Sequence, residues 1–373
     1  MRRRLHESFG AAVMVTVLVA LLPLAQATLD AQAPAAARTA AASSAAPKTA
    51  WGHPDIQGIW LDEFQTPLER STELGDREFF TAEERAKQDA ARSGNEGRNR
   101  RAETGSRQDV AGAYNAVFTS AKPAGRRTSL VVEPANGRIP ALTTEARRQD
   151  EIEREFRMAL LQNTETCKTG ASGCAGWQYG PPSPRRAEVP PFYNTGRLSR
   201  HNGPEDQSMG DRCMSGVTPD LNGFKRIVQG PDSIALAIDT GQGQGYQRVV
   251  YLSGSHPPSH IRLRHGDSRG RWEGNTLVVE TTNFSPKHDF RGASVNLKLV
   301  ERFTRVDADT LEYAVTVTDP TVWTAPWSGE YTWPTTDDRI YEYACHEGNY
   351  ALGGIMRGAR TLEADVIKAR AEK

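Results

Sequence analysis

From Arg212 to Cys345 the chain alternates apolar and polar residues with a period of two, and clusters of Gly, Asp, Asn and Ser interrupt the alternation. FKRIVQG, SIALAID, YQRVVYL, HIRLRH, NTLVVETTNF, NLKLVERFTRVD, TLEYAVTVTD and RIYEYAC each read as a short strand. GDSRGRWEGN and DADT read as turns between them. Short strands at regular spacing predict a mostly β protein, an antiparallel barrel or sandwich.

The preceding half reads differently. A turn at His53-Pro54-Asp55 leads into Gly58-Ile59-Trp60, and this Gly-x-Trp resembles the opening strand of lipocalin-type barrels, where the Trp packs across the barrel floor. Thr81 and Glu84 form a capping box for a helix over 81–91. Residues 92–107 read as a mobile, charged loop. Ser129–Glu133 reads as a strand, Pro134-Ala135-Asn136-Gly137 as a turn, and Thr143 or Thr144 as the cap of a second helix packing through Ile152, Phe156, Leu160 and Leu161. GPPSPRRAEVPPF is an extended connector. This part holds too little apolar content for its own core. Residues 49–205 are therefore expected to wrap a β-barrel-like core at 206–373, as one combined domain over 49–373.

The amino terminus bears on location. Arg2, Arg3 and Arg4 precede an apolar run from Ala11 to Leu24 and a small-x-small site at Ala25-Gln26-Ala27. Residues 1–27 thus read as a signal peptide, and the Ala- and Pro-rich stretch 28–48 as a disordered linker. A periplasmic or secreted protein is expected. In an oxidising compartment four cysteines predict two disulfides. Cys167 with Cys174 would clip a Gly-rich loop, and Cys213 with Cys345 would tie the middle of the chain to its end. With no C-x-x-C pair, a zinc-ribbon site is not expected. Lys plus Arg and Asp plus Glu number 46 each, so nothing favours a nucleic-acid partner. No apolar segment after the signal peptide is long enough to span a membrane.

The motifs PDIQGIW, GDRCMSG, GDSRGRWEGNTLVVETTNF, LVERFTRVDADTLEY and YEYACHEGNY together resemble a family of exported proteins of soil bacteria, abundant in Acidobacteria. The resemblance covers nearly all the mature chain. It implies export and a lipocalin-like barrel, and it carries over no catalytic residue.

Candidate chemistry concentrates between His256 and Arg302, where His, Arg and carboxylates crowd strand-like sequence. Such groups on one sheet face line a polar pocket. His260, Arg262 and Arg264 share one side of their strand, and Asp267–Arg271 reads as a tight turn. Glu273 beside Trp272 is expected to be desolvated and its pKa raised, as suits a general acid or base. Arg291 would hold an anionic group or pair with Glu301. Glu301 and Arg302 point to opposite faces, so one must face inward, as a pocket group or half of a buried pair. His346 and Glu347 close the last strand beside the proposed disulfide.

An acid–base enzyme, a lyase, isomerase or hydrolase, would use His260, Glu273 and His346 as proton carriers. His256, Arg271, Trp272, Arg291, Glu301 and Glu347 would then bind a small organic ligand. The alternatives are a lipocalin-like carrier without catalysis and an envelope interaction protein. No cofactor is expected. A metal on His256, His260 and His346 is the less favoured alternative, because H-E-x-x-H spacing is absent.

Overall fold

A computed structural model describes residues 47–61, 64–93, 123–161, 183–221, 224–239, 245–337, 339–340 and 344–372. The segment expected to be a signal peptide, nearly all of the expected linker, most of the charged stretch 92–107 and the expected Cys167–Cys174 clip lie outside them.

The protein is mostly β, built on one curled, barrel-like sheet. Ten strands form one sheet: β1 (Gly58–Trp60), β2 (Val131–Glu133), β3 (Phe224–Gln229), β4 (Ser233–Asp239), β5 (Tyr246–Tyr251), β6 (Asp267–Glu273), β7 (Thr276–Thr282), β8 (Lys298–Arg305), β9 (Thr310–Thr318) and β10 (Trp327–Pro334). Their order is β1-β3-β4-β5-β6-β7-β8-β9-β10-β2. All neighbours are antiparallel except β5 and β6, which run parallel through Val250↔Ser268 and Tyr251↔Arg269. The ends of the sheet meet: Trp60 bridges Thr335, Leu61 N donates to Pro334 O at 3.0 Å, and Thr336 N donates to Ile59 O at 3.0 Å.

Side-chain alternation builds the interior. In β9 the inward positions Leu311, Tyr313, Val315 and Val317 are all buried, and the residues between them are not. In β10 Trp327, Tyr331 and Trp333 do the same. Trp60 is fully buried at the closing edge, donates Nε1–H to Ile56 O at 3.1 Å, and lies under Arg305 at 5.4 Å.

The region before β3 belongs to this barrel. It supplies β1 and β2, and Gln229 takes the Ile56 N–H at 2.6 Å. Helix α1 (Ala82–Ser93) opens with the expected capping box: Thr81 N donates to Glu84 Oε2 at 2.8 Å and Glu84 N to Thr81 Oγ1 at 3.1 Å. Helix α2 (Thr144–Leu161) is capped by Thr143, which accepts from Ala146 N at 3.1 Å, and packs Phe156 and Leu160 against Leu198.

Four expectations are corrected. HIRLRH is a loop, because Arg262 donates to Phe284 O and Val295 O while Ile261 and Leu263 stay exposed. GDSRGRWEG is strand β6 rather than a turn. Its Gly270 serves close packing, since a Cβ there would lie 2.7 Å from Val250 Cγ1. The true turn is Gly274-Asn275, with Gly274 at φ +60°, the positive value a two-residue hairpin demands. WSGEYTWP, masked in the sequence by its Ser-Gly and Pro, is strand β10. The expected last strand ends instead in a helical turn, α3 (Cys345–Gly348), followed by helix α4 (Tyr350–Ala371). Asn349 starts α4 by accepting from Leu352 N at 3.2 Å.

Cys213 and Cys345 form a disulfide across 132 residues, which fastens α3 and α4 to the chain before β3. Asn349 Nδ2 reinforces it by donating to Asp211 O at 2.8 Å. Closing a loop of that length stabilises the fold by about 4–5 kcal/mol in the chain-entropy account. The Cys213→Ser/Cys345→Ser protein is expected to lose about 2–5 kcal/mol in urea unfolding, the range for removing a native disulfide. Limited proteolysis is expected to release α4 first.

Candidate functional site

Charged residues occupy the inward phase of three strands. Lys225 in β3, Arg248 in β5 and Glu301 in β8 take positions whose neighbours two residues away are buried and apolar or aromatic, such as Tyr246 and Val250, or Leu299 and Phe303. Arg248 donates to Glu301 Oε1 at 2.6 Å, and both side chains are at least 95 % buried. The Tyr313 hydroxyl donates to the same oxygen at 2.9 Å. Arg248 also reaches Ser268 Oγ at 3.2 Å and Thr281 Oγ1 at 3.1 Å, and those hydroxyls lie 2.9 Å apart.

Removing two charges from water costs several kcal/mol per ion, so such a pair needs close geometry and further hydrogen bonds. Burial works against the Arg248 charge, but the attraction and hydrogen bond of Glu301 outweigh it and raise its pKa. Burial raises the Tyr246 and Tyr313 hydroxyls, so both stay protonated. Acceptor capacity is left over: among the described residues no hydrogen-bond partner meets buried Glu301 Oε2, Arg248 Nε or the Tyr246 hydroxyl.

Glu301 lines a cavity of about 10 Å³ together with Asp220, Lys225, Phe303, Tyr313 and Trp333. Lys225 Nζ sits 4.5 Å from the Trp333 ring, which packs 4.5 Å from the Tyr313 ring at 15°. That volume admits one water-sized group. The interior therefore offers an acceptor oxygen and aromatic walls to something small that donates a hydrogen bond.

The residues expected from the sequence are spread more widely. Half-buried His256 is held by Asp267, Nδ1 to Oδ2 at 2.6 Å, and its Nε2 lies 3.5 Å from Glu280 Oε1. Burial pushes the Asp267 pKa up, but bonds from Arg269 and His256 outweigh it and hold the carboxyl below its usual range. Lys298 does the same for Glu280. Glu273 is exposed between Arg302 and Arg271, and these guanidiniums lower its pKa. The expected upward shift is thus reversed. Successive strand residues face opposite ways, so Trp272 turns to the core side, 5.6 Å from His53, and does not desolvate the carboxylate.

His260 and Arg291 are exposed on loops, Arg291 at φ 55°, and the expected Arg291–Glu301 pair is replaced by Arg248–Glu301. His346 and Glu347 are exposed on α3. No hydrogen bond or ion pair among the described residues joins any two of His260, Glu273 and His346. Of the sequence candidates among the described residues, Glu301 and Trp272 face the barrel interior, and Glu301 alone of the two lines the cavity. Arg248, Lys225 and Tyr313 were missed, although a charge on the apolar phase of YQRVVY or FKRIVQ was readable. Among the described residues, no group of three or more His, Cys, Asp or Glu is placed to hold a metal ion, and no helix is long and apolar enough to cross a membrane.

No protein-family model matches the chain, and no curated protein does. Among solved structures it is similar to a mutant of the fluorescent protein UnaG, at 14 % identity over 31 % of this chain and 72 % of that one, with a TM-score of 0.19. At that score nothing about ligand or chemistry transfers.

Removing one member of a buried ion pair costs more than replacing both. Glu301→Ala is expected to lose about 3–5 kcal/mol of unfolding free energy by stranding Arg248, whereas Arg248→Met/Glu301→Leu is expected to be neutral or more stable by about 1–4 kcal/mol. Urea denaturation of the two proteins checks this.

Proposed function

We propose that this is an exported small-molecule binding protein whose barrel interior receives the hydrogen-bond-donating end of a small hydroxylated or amino compound. The observation that carries the reading is Glu301 Oε2, buried at the wall of the interior cavity without a partner. A buried charged acceptor left unsatisfied costs about 1–3 kcal/mol or more. A ligand donor at that oxygen recovers the cost, which gives the site selectivity for donors over shape-matched hydrocarbons. Phe303, Tyr313 and Trp333 supply an apolar, aromatic surround. The Cys213–Cys345 disulfide suits an oxidising compartment, in keeping with export.

Binding without turnover is favoured over acid–base catalysis because the proton carriers expected from the sequence, His260, Glu273 and His346, are all exposed and not joined to one another.

Calorimetric titration at pH 7.5 with phenol, benzyl alcohol, benzylamine and toluene tests the proposal. The three donors are expected to bind by inserting only their hydroxyl or amino group into the water-sized cavity, and toluene, which has no such group, is not. Glu301→Gln is expected to weaken phenol binding at least tenfold, which is about 1.4 kcal/mol. Toluene binding as well as phenol, an unchanged affinity in Glu301→Gln, or no binding by any of the four would overturn it.

A further inference from the structure

The segment Cys213–Leu221 runs from the disulfide to the barrel core, where Leu221 is buried, and its Asp220 forms part of the cavity wall shared by Glu301 and Lys225. Between these ends, fully buried Thr218 is held twice. Its Oγ1 lies 3.0 Å from His265 Nδ1, and its carbonyl oxygen lies 2.9 Å from His288 Nε2. Ser215 extends the same seam, with its Oγ 3.1 Å from His265 Nε2 and accepting from Arg264 Nε at 2.9 Å. The His265 ring stacks on Tyr246 at 4.1 Å. Two imidazoles thus fasten one strap beside the cavity, and the Glu301 site uses neither.

We propose that Cys213–Leu221 is an acid-released latch: neutral His265 seats the strap against the Glu301 cavity, and proton uptake there frees it, so that bound ligand is discharged at low pH. Only the last step rests on the binding function proposed for the barrel interior.

The surroundings of the two rings set the direction. His265 faces Arg264 from its own loop, Arg248 and Tyr246 from β5, and His288 from the loop after β7. No carboxylate among the described residues is bonded to it. A proton on His265 would therefore sit buried among positive groups, and burial followed by His288, Arg264 and Arg248 pushes its pKa down to about 3.

His288 is wedged between Thr218 O and Arg264 O, the latter 3.0 Å from Nδ1, with Phe284 at 4.6 Å and Arg264 and Asp289 as charged neighbours. A neutral imidazole has one N–H and satisfies one of those carbonyls at a time, whereas the protonated ring would satisfy both, so His288 fastens the strap in either charge state and the acid response rests on His265. Burial lowers its pKa, and the two carbonyls offset this only in part.

His265 thus binds a proton more weakly with the strap seated than when solvated, where the value is about 6.5. A form that binds more protons gains as pH falls, so the ratio of open to seated strap rises up to about tenfold per pH unit below 6.5.

Methyl NMR with a soluble paramagnetic agent reads strap opening without any ligand. Between pH 7.5 and 5, relaxation enhancement at the Val217 and Leu221 methyls is expected to rise about tenfold per unit below 6.5. Val315 and Val317 in β9 are expected to stay constant. In His265→Asn, which keeps a neutral donor toward Thr218, the rise is expected to shrink at least tenfold at pH 5. The wild-type His265 ring protons provide a second measurement that needs no folded variant. Strap methyls that do not move with pH, or a His265 ring that titrates near 6.5 while they stay protected, would overturn the latch whatever phenol does. Strap methyls that open in acid in a protein that never binds phenol would sustain the latch and remove only the ligand.

Discussion

The interior of this barrel is organised by the need to neutralise charge away from water. Arg248 and Glu301 sit on strands separated in the sheet by β6 and β7, and their 2.6 Å contact crosses the lumen side of both. Ser268 in β6 and Thr281 in β7 complete the coordination from the strands between. Each inward polar residue is there because another is. An apolar residue at any one of these positions would strand its neighbours. The same requirement leaves Glu301 Oε2 as the exception, and so marks where the interior is unfinished.

The extent to which this was legible depends on what kind of signal each element carries. β9 announces itself, because strict alternation admits no other period. β6 does not, since its Asp, Arg and Gly residues are also turn formers. Only the approach of Val250 explains why Gly270 belongs inside a strand. β10 hides behind its Ser-Gly and its closing Pro. The carboxyl-terminal helix follows an apparent strand that the disulfide brings to an end. The capping boxes were plain because they are local: Thr81 with Glu84 needs no tertiary context.

For the site, richness in His and Arg drew attention to residues that lie largely outside the barrel interior. Glu273, Arg271 and Arg302 satisfy one another in water at the rim of a hairpin, and Asp267, His256 and Arg269 do so at the parallel junction. The informative residues were solitary charges in phase with apolar neighbours, and Glu301 was one of them. Its partner could not be read, because Arg248 lies 53 residues earlier and pairing across a barrel depends on strand order. Thr218, His265 and His288 were hidden for a related reason, since a loop, a strap and a turn converge with no shared period.

Closure of the sheet through Trp60 and Thr335 has a consequence for how the molecule comes into being. A nascent chain emerging from the ribosome can zip β3 to β9 one hairpin after another, apart from the single parallel crossing. Its opening strand nevertheless waits for a seam that is made almost last. Until then the outer edge of β1 and the tail of β10 present bare amides and carbonyls, the kind of rim on which strangers add strands. The short β1 and β2 limit that hazard, because each offers only three residues to copy.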